Sequence, residues 1–145
     1  MDSRQIRKIL AECKTVAVVG LSPDPEKASN QVAAYMKKHG YRIVPVNPFI
    51  DEVLGEKSYP SLLDIPSEIQ SEICLVDIFR RPEDIPPIME QAIKLREAKG
   101  KPWVVWMQEG IINEKAAAAG QEAGITVVMD KCMMQEHKRL LGKRY

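Results

Sequence analysis

The strongest constraint in this sequence is the run from Thr15 to Pro48, TVAVVGLSPDPEKASNQVAAYMKKHGYRIVPVNP. Thr15 to Val19 is a continuous β-branched and apolar stretch stopped by Gly20, as a strand covered on both faces requires. A helical stretch follows, and a second apolar run, Tyr41 to Val46, ends in Asn47-Pro48. Strand, glycine turn, helix and strand make the layout of a nucleotide-binding half-domain, whose first turn receives a pyrophosphate. The turn departs from G-x-G-x-x-G, because Leu21, Ser22 and Pro23 follow Gly20.

The same alternation runs through the rest of the chain. Ser3 is expected to cap a helix to about Ala11, with Ile6, Ile9 and Leu10 as its apolar stripe. Ser29 or Asn30 caps the next, Val32, Ala33 and Met36 face inward, and Gly40 ends it. Asn47 to Pro66 is turn-rich, with a short helical piece around Ser61 to Leu63. Ile73 to Ile78 reads as a third strand, and Asp84 is expected to cap a helix with Pro86 and Pro87 in its first turn. Ile85, Ile88, Met89, Ala92 and Ile93 form that helix's stripe, and Gly100 ends it. Trp103 to Met107 is a fourth strand, both tryptophans reading as core, and Asn113 caps an alanine-rich helix stopped by Gly124. Thr126 to Met129 and a final helix from about Met133 to Leu141 complete the pattern. Short apolar runs alternating with longer helices predict an α/β, three-layer, Rossmann-like fold with a parallel sheet of about five strands.

Size and charge exclude several classes. A chain of 145 residues holds one core, too little for a cofactor domain plus a separate substrate domain. No apolar run approaches the roughly 20 residues that cross a bilayer. The start MDSRQIRKIL has no apolar core of a secretory leader, so a cytoplasmic location is expected. The formal net charge of +1 gives no broad drive toward nucleic acid or membrane, and the basic cluster HKRLLGKRY reads as a solvated helix end. Cys13, Cys74 and Cys132 are odd in number and lack metal-ligand spacing, so reduced thiols and no metal are expected.

In a parallel sheet the turns after the strands converge on one edge, where ligands bind. Those turns carry Gly20, Ser22, Lys27 and Ser29, then Asn47-Pro48, then Phe79-Arg80-Arg81, then Gln108 to Ile111, then Asp130-Lys131-Cys132. Gly20 lets backbone approach a phosphate, Ser22 and Ser29 offer hydroxyls, and the amides of the following helix add a positive end. Arg80, Arg81, Lys27 and Lys131 bring cationic donors to the same edge, guanidinium matching phosphate best. A nicotinamide fold places an acidic residue where Asn47 stands, which disfavours NAD. The P-loop signature is absent, so nucleotide triphosphate hydrolysis has no support.

From about Thr15 to Leu140 the chain resembles the small stand-alone CoA-binding proteins, themselves similar to the N-terminal CoA-binding domain of the succinyl-CoA synthetase α subunit. The matching segments are VAVVGLSPDPEKAS, GYRIVPVNP, LGEKSYPSLLDIP, VDIFRRPE, VWMQEGI and VVMDKCMMQEHKRL. The resemblance implies one CoA-binding domain over residues 1–145, with coenzyme A or an acyl-CoA as ligand. It implies that Gly20, Ser22, Lys27 and Ser29 contact the phosphate-bearing part, and that Asn47 and Pro48 line the nucleotide pocket. Phe79 and Arg80 would flank that pocket, while Gln108, Gly110 and Ile111 approach the pantetheine arm. Lys131 stands where related sequences often have arginine; it keeps the charge but not the bidentate geometry.

No catalytic group emerges. The synthetase's phosphorylated histidine belongs to a second domain, and His39 and His137 read as a helix-end and a surface histidine. Cys132, at a helix start beside Lys131, is the residue with chemical potential, although a buried inert thiol accounts for it as well. The expectation is a non-catalytic carrier, sensor or regulatory module. The alternatives are a CoA-linked enzyme or redox protein using Cys132, or one part of a split acyl-CoA synthetase, with a nicotinamide-binding regulator last. The protein partner and oligomeric state are not legible.

Overall fold

The computed structural model describes residues 1–142; Lys143, Arg144 and Tyr145, the end of the basic cluster, lie outside the described residues. Five parallel strands form the main sheet: β1 (Thr15–Val19), β2 (Arg42–Val46), β5 (Leu75–Ile78), β6 (Val104–Met107) and β7 (Thr126–Val128). Their order is β2-β1-β5-β6-β7, so the chain starts in the second position, steps to one edge, then crosses back to the other side of β1. Connections therefore leave β1 and β5 in opposite directions, and the crevice opens between them.

The strands obey a period of two. Ala17, Val19, Val76, Ile78, Val105, Met107 and Val127 point to one face and pack with Ile85, Met89, Ala92 and Leu95 of α4 (Ile85–Lys99) and Ala116 and Ala117 of α5 (Glu114–Glu122). Val16, Val18, Leu75, Val104, Trp106 and Val128 point to the other face. There they meet α1 (Ser3–Glu12), α2 (Ala28–Lys38) and α6 (Met133–Leu140) through Leu10, Met36 and Met133. This is the expected three-layer α/β, Rossmann-like architecture. Each fully buried Ile, Leu or Met contributes roughly 1.5–3 kcal/mol.

The segment after β2 is more structured than its turn residues suggested. A two-stranded hairpin, β3 (Glu52–Val53) with β4 (Glu56–Lys57), is followed by a 3-10 turn at Leu62–Asp64 and the short α3 (Ser67–Gln70). Tyr59 bridges Val46 and so covers the free edge of β2, where Pro45 is tolerated.

Three expected caps are reassigned. α1 is capped by Asp2, whose carboxylate accepts from the Gln5 amide while the Gln5 side chain accepts from Asp2 N, so Ser3 lies inside the helix. α2 begins at Ala28, which puts Ser29 and Asn30 in its first turn with other work to do. Asp84 makes no cap hydrogen bond, because its carboxylate is taken by arginines. Asn113 caps α5 as expected, accepting from Ala116 N at 2.9 Å. Trp106 is fully buried, but Trp103 precedes β6, stays 44% exposed and lies under the Lys101 ammonium. His137 is not a surface residue: it is buried, with Nδ1 2.8 Å from the Tyr35 hydroxyl. His39 ends α2, exposed and stacked on Tyr35. No helix among the described residues is long and apolar enough to cross a membrane.

Candidate functional site

The carboxyl edge of the sheet is built around the turn after β1. Gly20 has φ +87°, and its N–H donates to Val46 O at 2.9 Å, tying the turn to β2. A Cβ on Gly20 would lie 2.5 Å from Phe79 O and 3.0 Å from Arg80 Cδ, so the turns after β1 and β5 touch and only glycine fits between them. Ser22 N donates to Ser29 Oγ at 2.9 Å, and Asn30 Nδ2 donates to Ser22 O at 2.9 Å. The Asn47 amide donates to Leu21 O at 2.9 Å, while its oxygen accepts from Phe49 N. Ser29, Asn30 and Asn47 are thus clamps that hold the Gly20–Ser22 backbone. The next four residues are ordered by short-range bonds, Asp24 N to Ser22 Oγ and Glu26 N to Asp24 Oδ1. The Ala28 and Ser29 N–H groups at the start of α2 find no protein acceptor among the described residues.

Two cavities share Arg80 and Asp84, and the first borders this turn. One, of about 300 Å³, is lined by Gly20, Val46, Pro48, Ser61, Arg80 and Asp84, among others. The other, of about 510 Å³, is bounded by Phe79, Arg80, Arg81, Pro82, Asp84 and Ile111. Arg80 therefore stands between them. Asp84 holds both guanidiniums, Arg80 at 3.1 Å and Arg81 at 3.2 Å, and their hydrogen bonds keep its carboxyl below the usual carboxylate range. The Arg80–Asp84 spacing of four was readable in sequence, but the direction in which Arg80 points was not.

The far half of the edge is closed upon itself. Gln108 is buried, its Nε2 donating to Asp77 Oδ1 at 2.6 Å and its Oε1 accepting from Met133 N at 3.4 Å, which docks the start of α6. Asp77 is fully buried, and the loss of hydration raises its pKa to about 7, against the opposing pull of the Gln108 amide. Gly110 N donates to Asp130 Oδ1 at 2.7 Å, joining the turns after β6 and β7. Asp130 itself has φ +59°, a conformation that short polar side chains tolerate. The Lys131 carbonyl accepts from Trp106 Nε1 at 2.8 Å.

Of the twelve residues read from sequence, Gly20, Pro48, Phe79, Arg80 and Ile111 line the two cavities. Ser22, Ser29 and Asn47 hold the turn, and Lys27 stands exposed just before α2. Gln108 and Gly110 are engaged within the protein, and Lys131 is half-buried beside Cys132. Asp77 was missed, and Asn30, Asp84 and Asp130 were not read as site residues; the partners of Asp77 and Asp130 are brought near only by folding, whereas those of Asn30 and Asp84 lie within eight residues.

The donor set fits a phosphate-bearing nucleotide: a glycine turn with clamped backbone, open amides at a helix start, and an arginine across the crevice. A family model described as CoA binding domain matches residues 14–138. The uncharacterized protein YneT of Bacillus subtilis is 41% identical over 133 residues, 92% of each chain. A solved structure of a hypothetical protein from Pyrococcus horikoshii OT3 is 46% identical with a TM-score of 0.88, covering 98% of this chain and 94% of that one. Acetate-CoA ligase (ADP-forming) II of Archaeoglobus fulgidus is 37% identical over 83 residues, which is 56% of this chain and 12% of the ligase.

Proposed function

This chain belongs to the CoA-binding domain family, and from that premise we propose that it binds coenzyme A or an acyl-CoA in the crevice between β1 and β5, as a single domain without catalysis of its own. The observation that carries the reading is the Gly20 turn, pressed against Phe79 and clamped by Ser29, Asn30 and Asn47, with Arg80 opposite. In this reading the Gly20–Ser22 turn, Lys27 and the first amides of α2 hold the pyrophosphate. Arg80, with Arg81 and Lys131, supplies cations for the remaining phosphate. Asn47 and Pro48 border the nucleoside, and Gly110 and Ile111 border the pantetheine arm. Gln108 supports that wall from beneath through Asp77 and Met133. Bound CoA would bring a thiol or thioester to this edge. The protein would then act as a carrier, sensor or regulatory module in the cytoplasm.

Isothermal titration against CoA, dephospho-CoA and NAD tests the proposal. Binding of CoA in preference to dephospho-CoA, with none of NAD, is the expected result. Heat with NAD and none with CoA at high micromolar concentration overturns it.

A second reading, a component of a split acyl-CoA synthetase, is favoured by the ADP-forming ligase segment to which the chain is similar. Co-purification with a separate ligase-like chain, and acyl-CoA formation by the pair but by neither alone, would establish it.

A further inference from the structure

The amino edge of the sheet, opposite the crevice, carries chemistry that CoA binding leaves unused. Cys13 follows α1 and Cys74 leads into β5, 61 positions apart, and both side chains are buried. Their backbones are fixed independently. Cys13 N donates to Ile9 O at 2.8 Å, Cys74 N donates to Thr15 O at 3.2 Å, and Cys74 O accepts from Trp103 N and Val104 N at 2.9 and 3.1 Å. Cys13 Sγ donates to Cys74 O at 3.9 Å and Cys74 Sγ to Thr15 O at 3.6 Å, so the two side chains are neighbours at the amino ends of β1 and β5.

A pocket of about 260 Å³ opens beside them, walled by Glu12, Lys14, Glu72, Cys74, Lys101 and Trp103. The neighbouring Cys13 side chain, then the backbone at Thr15 and the Lys101 ammonium, hold Cys74 below the ordinary thiol range. The same pairing, with burial, pushes Cys13 well above that range. Cys74 borders the pocket and Cys13 does not, so a reagent entering there meets Cys74 first. Cys74 as a residue is only 4% exposed, so the reagent must be small.

We propose that Cys13 and Cys74 form a hydroperoxide-oxidised dithiol site, in which Cys74 is oxidised first and Cys13 resolves it to an intramolecular disulfide. In the first step the Cys74 sulfur attacks one oxygen of hydrogen peroxide. An S–O bond forms, the O–O bond breaks, and the departing hydroxide leaves as water with the thiol proton. In the second step the Cys13 sulfur attacks the sulfenic sulfur of Cys74. The S–S bond forms, the S–O bond breaks, and the hydroxyl leaves as a second water with the Cys13 proton. Two electrons pass from the thiol pair to the peroxide, and no other reactant is needed. Cys132 takes no part, because it stands just before α6 at the opposite edge.

Hydrogen peroxide added to the full-length protein, followed by denaturation, thiol alkylation and intact and peptide mass analysis, tests the site. In the wild type and in Cys132→Ser the disulfide removes two hydrogens; after alkylation the wild type should carry one alkyl group, on Cys132, and Cys132→Ser none, with the peptides of Cys13 and Cys74 linked in both. Cys13→Ser should retain a sulfenic acid on Cys74 that a dimedone probe captures. Cys74→Ser should leave Cys13 fully alkylatable. Oxidation confined to Cys132, or a disulfide that includes Cys132, overturns the proposal. The wild-type readout alone decides it, whatever the folding of the variants, and it is independent of whether CoA binds.

Discussion

The two halves of the carboxyl edge use polar side chains in opposite ways. Around β1 and β5, Ser29, Asn30 and Asn47 spend their hydrogen bonds on backbone, which shapes a turn and leaves Arg80 facing open cavities. Around β6 and β7, Gln108 is bonded to Asp77 on the neighbouring β5, and Asp130 ties down Gly110, so these polar groups are consumed in closing the structure. A site for an anion needs donors that are held but not fully satisfied, and the first half offers more of them than the second. The second half offers shape and a fixed position for α6.

The largest test falls on the closed half. Asp77 has a folded pKa of about 7 against an ordinary 3.8, so the native state binds its proton more tightly than the unfolded chain does. Its contribution is most favourable below pH ~4, where both states are protonated, and is lost as pH climbs to about 7, by up to about 4 kcal/mol. Denaturant midpoints between pH 4.5 and 7.5 should therefore show a decline that Asp77→Asn flattens, with the variant more stable at the upper end. An unchanged pH profile in the variant would mean that the carboxylate is accommodated and this half is not closed as described.

Gly20→Ala strikes the junction of β1 and β5. A positive φ combined with a Cβ 2.5 Å from Phe79 O should cost about 3 kcal/mol in stability and abolish CoA binding, read by chemical denaturation and titration. Arg80→Ala should leave the fold near native stability, since its ion pair with Asp84 is partly exposed. It should weaken CoA by roughly 2 kcal/mol, a loss of about thirtyfold, through one charge-assisted contact. Ser29→Ala is the mildest: Ser22 N loses its acceptor, for about 1 kcal/mol of stability and a proportionate loss of affinity. Equal losses of CoA affinity from Arg80→Ala and from Asp77→Asn would erase the distinction between the halves.

Much of the architecture was readable because it rests on local pattern. The apolar runs of β1, β2, β5, β6 and β7, the stripe of α4 and the glycines at positions 20, 40, 100 and 124, all with positive φ, follow from periodicity and backbone sterics. The caps were less readable, because Ser, Asn and Asp at a helix start have competing partners. Ser29 turned toward Ser22, seven residues back, and Asp84 toward Arg80 and Arg81, four and three residues back, in place of the helix-start amides. Trp103 and Trp106 look alike on paper, yet one is exposed and the other is at the centre of a helix-covered face.

By itself, the sequence determined the class of fold, the edge on which the strand-end residues gather, and the residue types available to meet phosphate. Only the tertiary structure decided which of them face open space, and why Gly20 cannot be replaced: the obstacle is Phe79 O, a backbone atom from another strand's turn. It also decided that Cys13 and Cys74 are neighbours and Cys132 is not among them. The physical reason is range. Propensity and periodicity act over a few residues, whereas burial, desolvation and the choice among hydrogen-bond partners depend on contacts that exist only after the sheet has assembled.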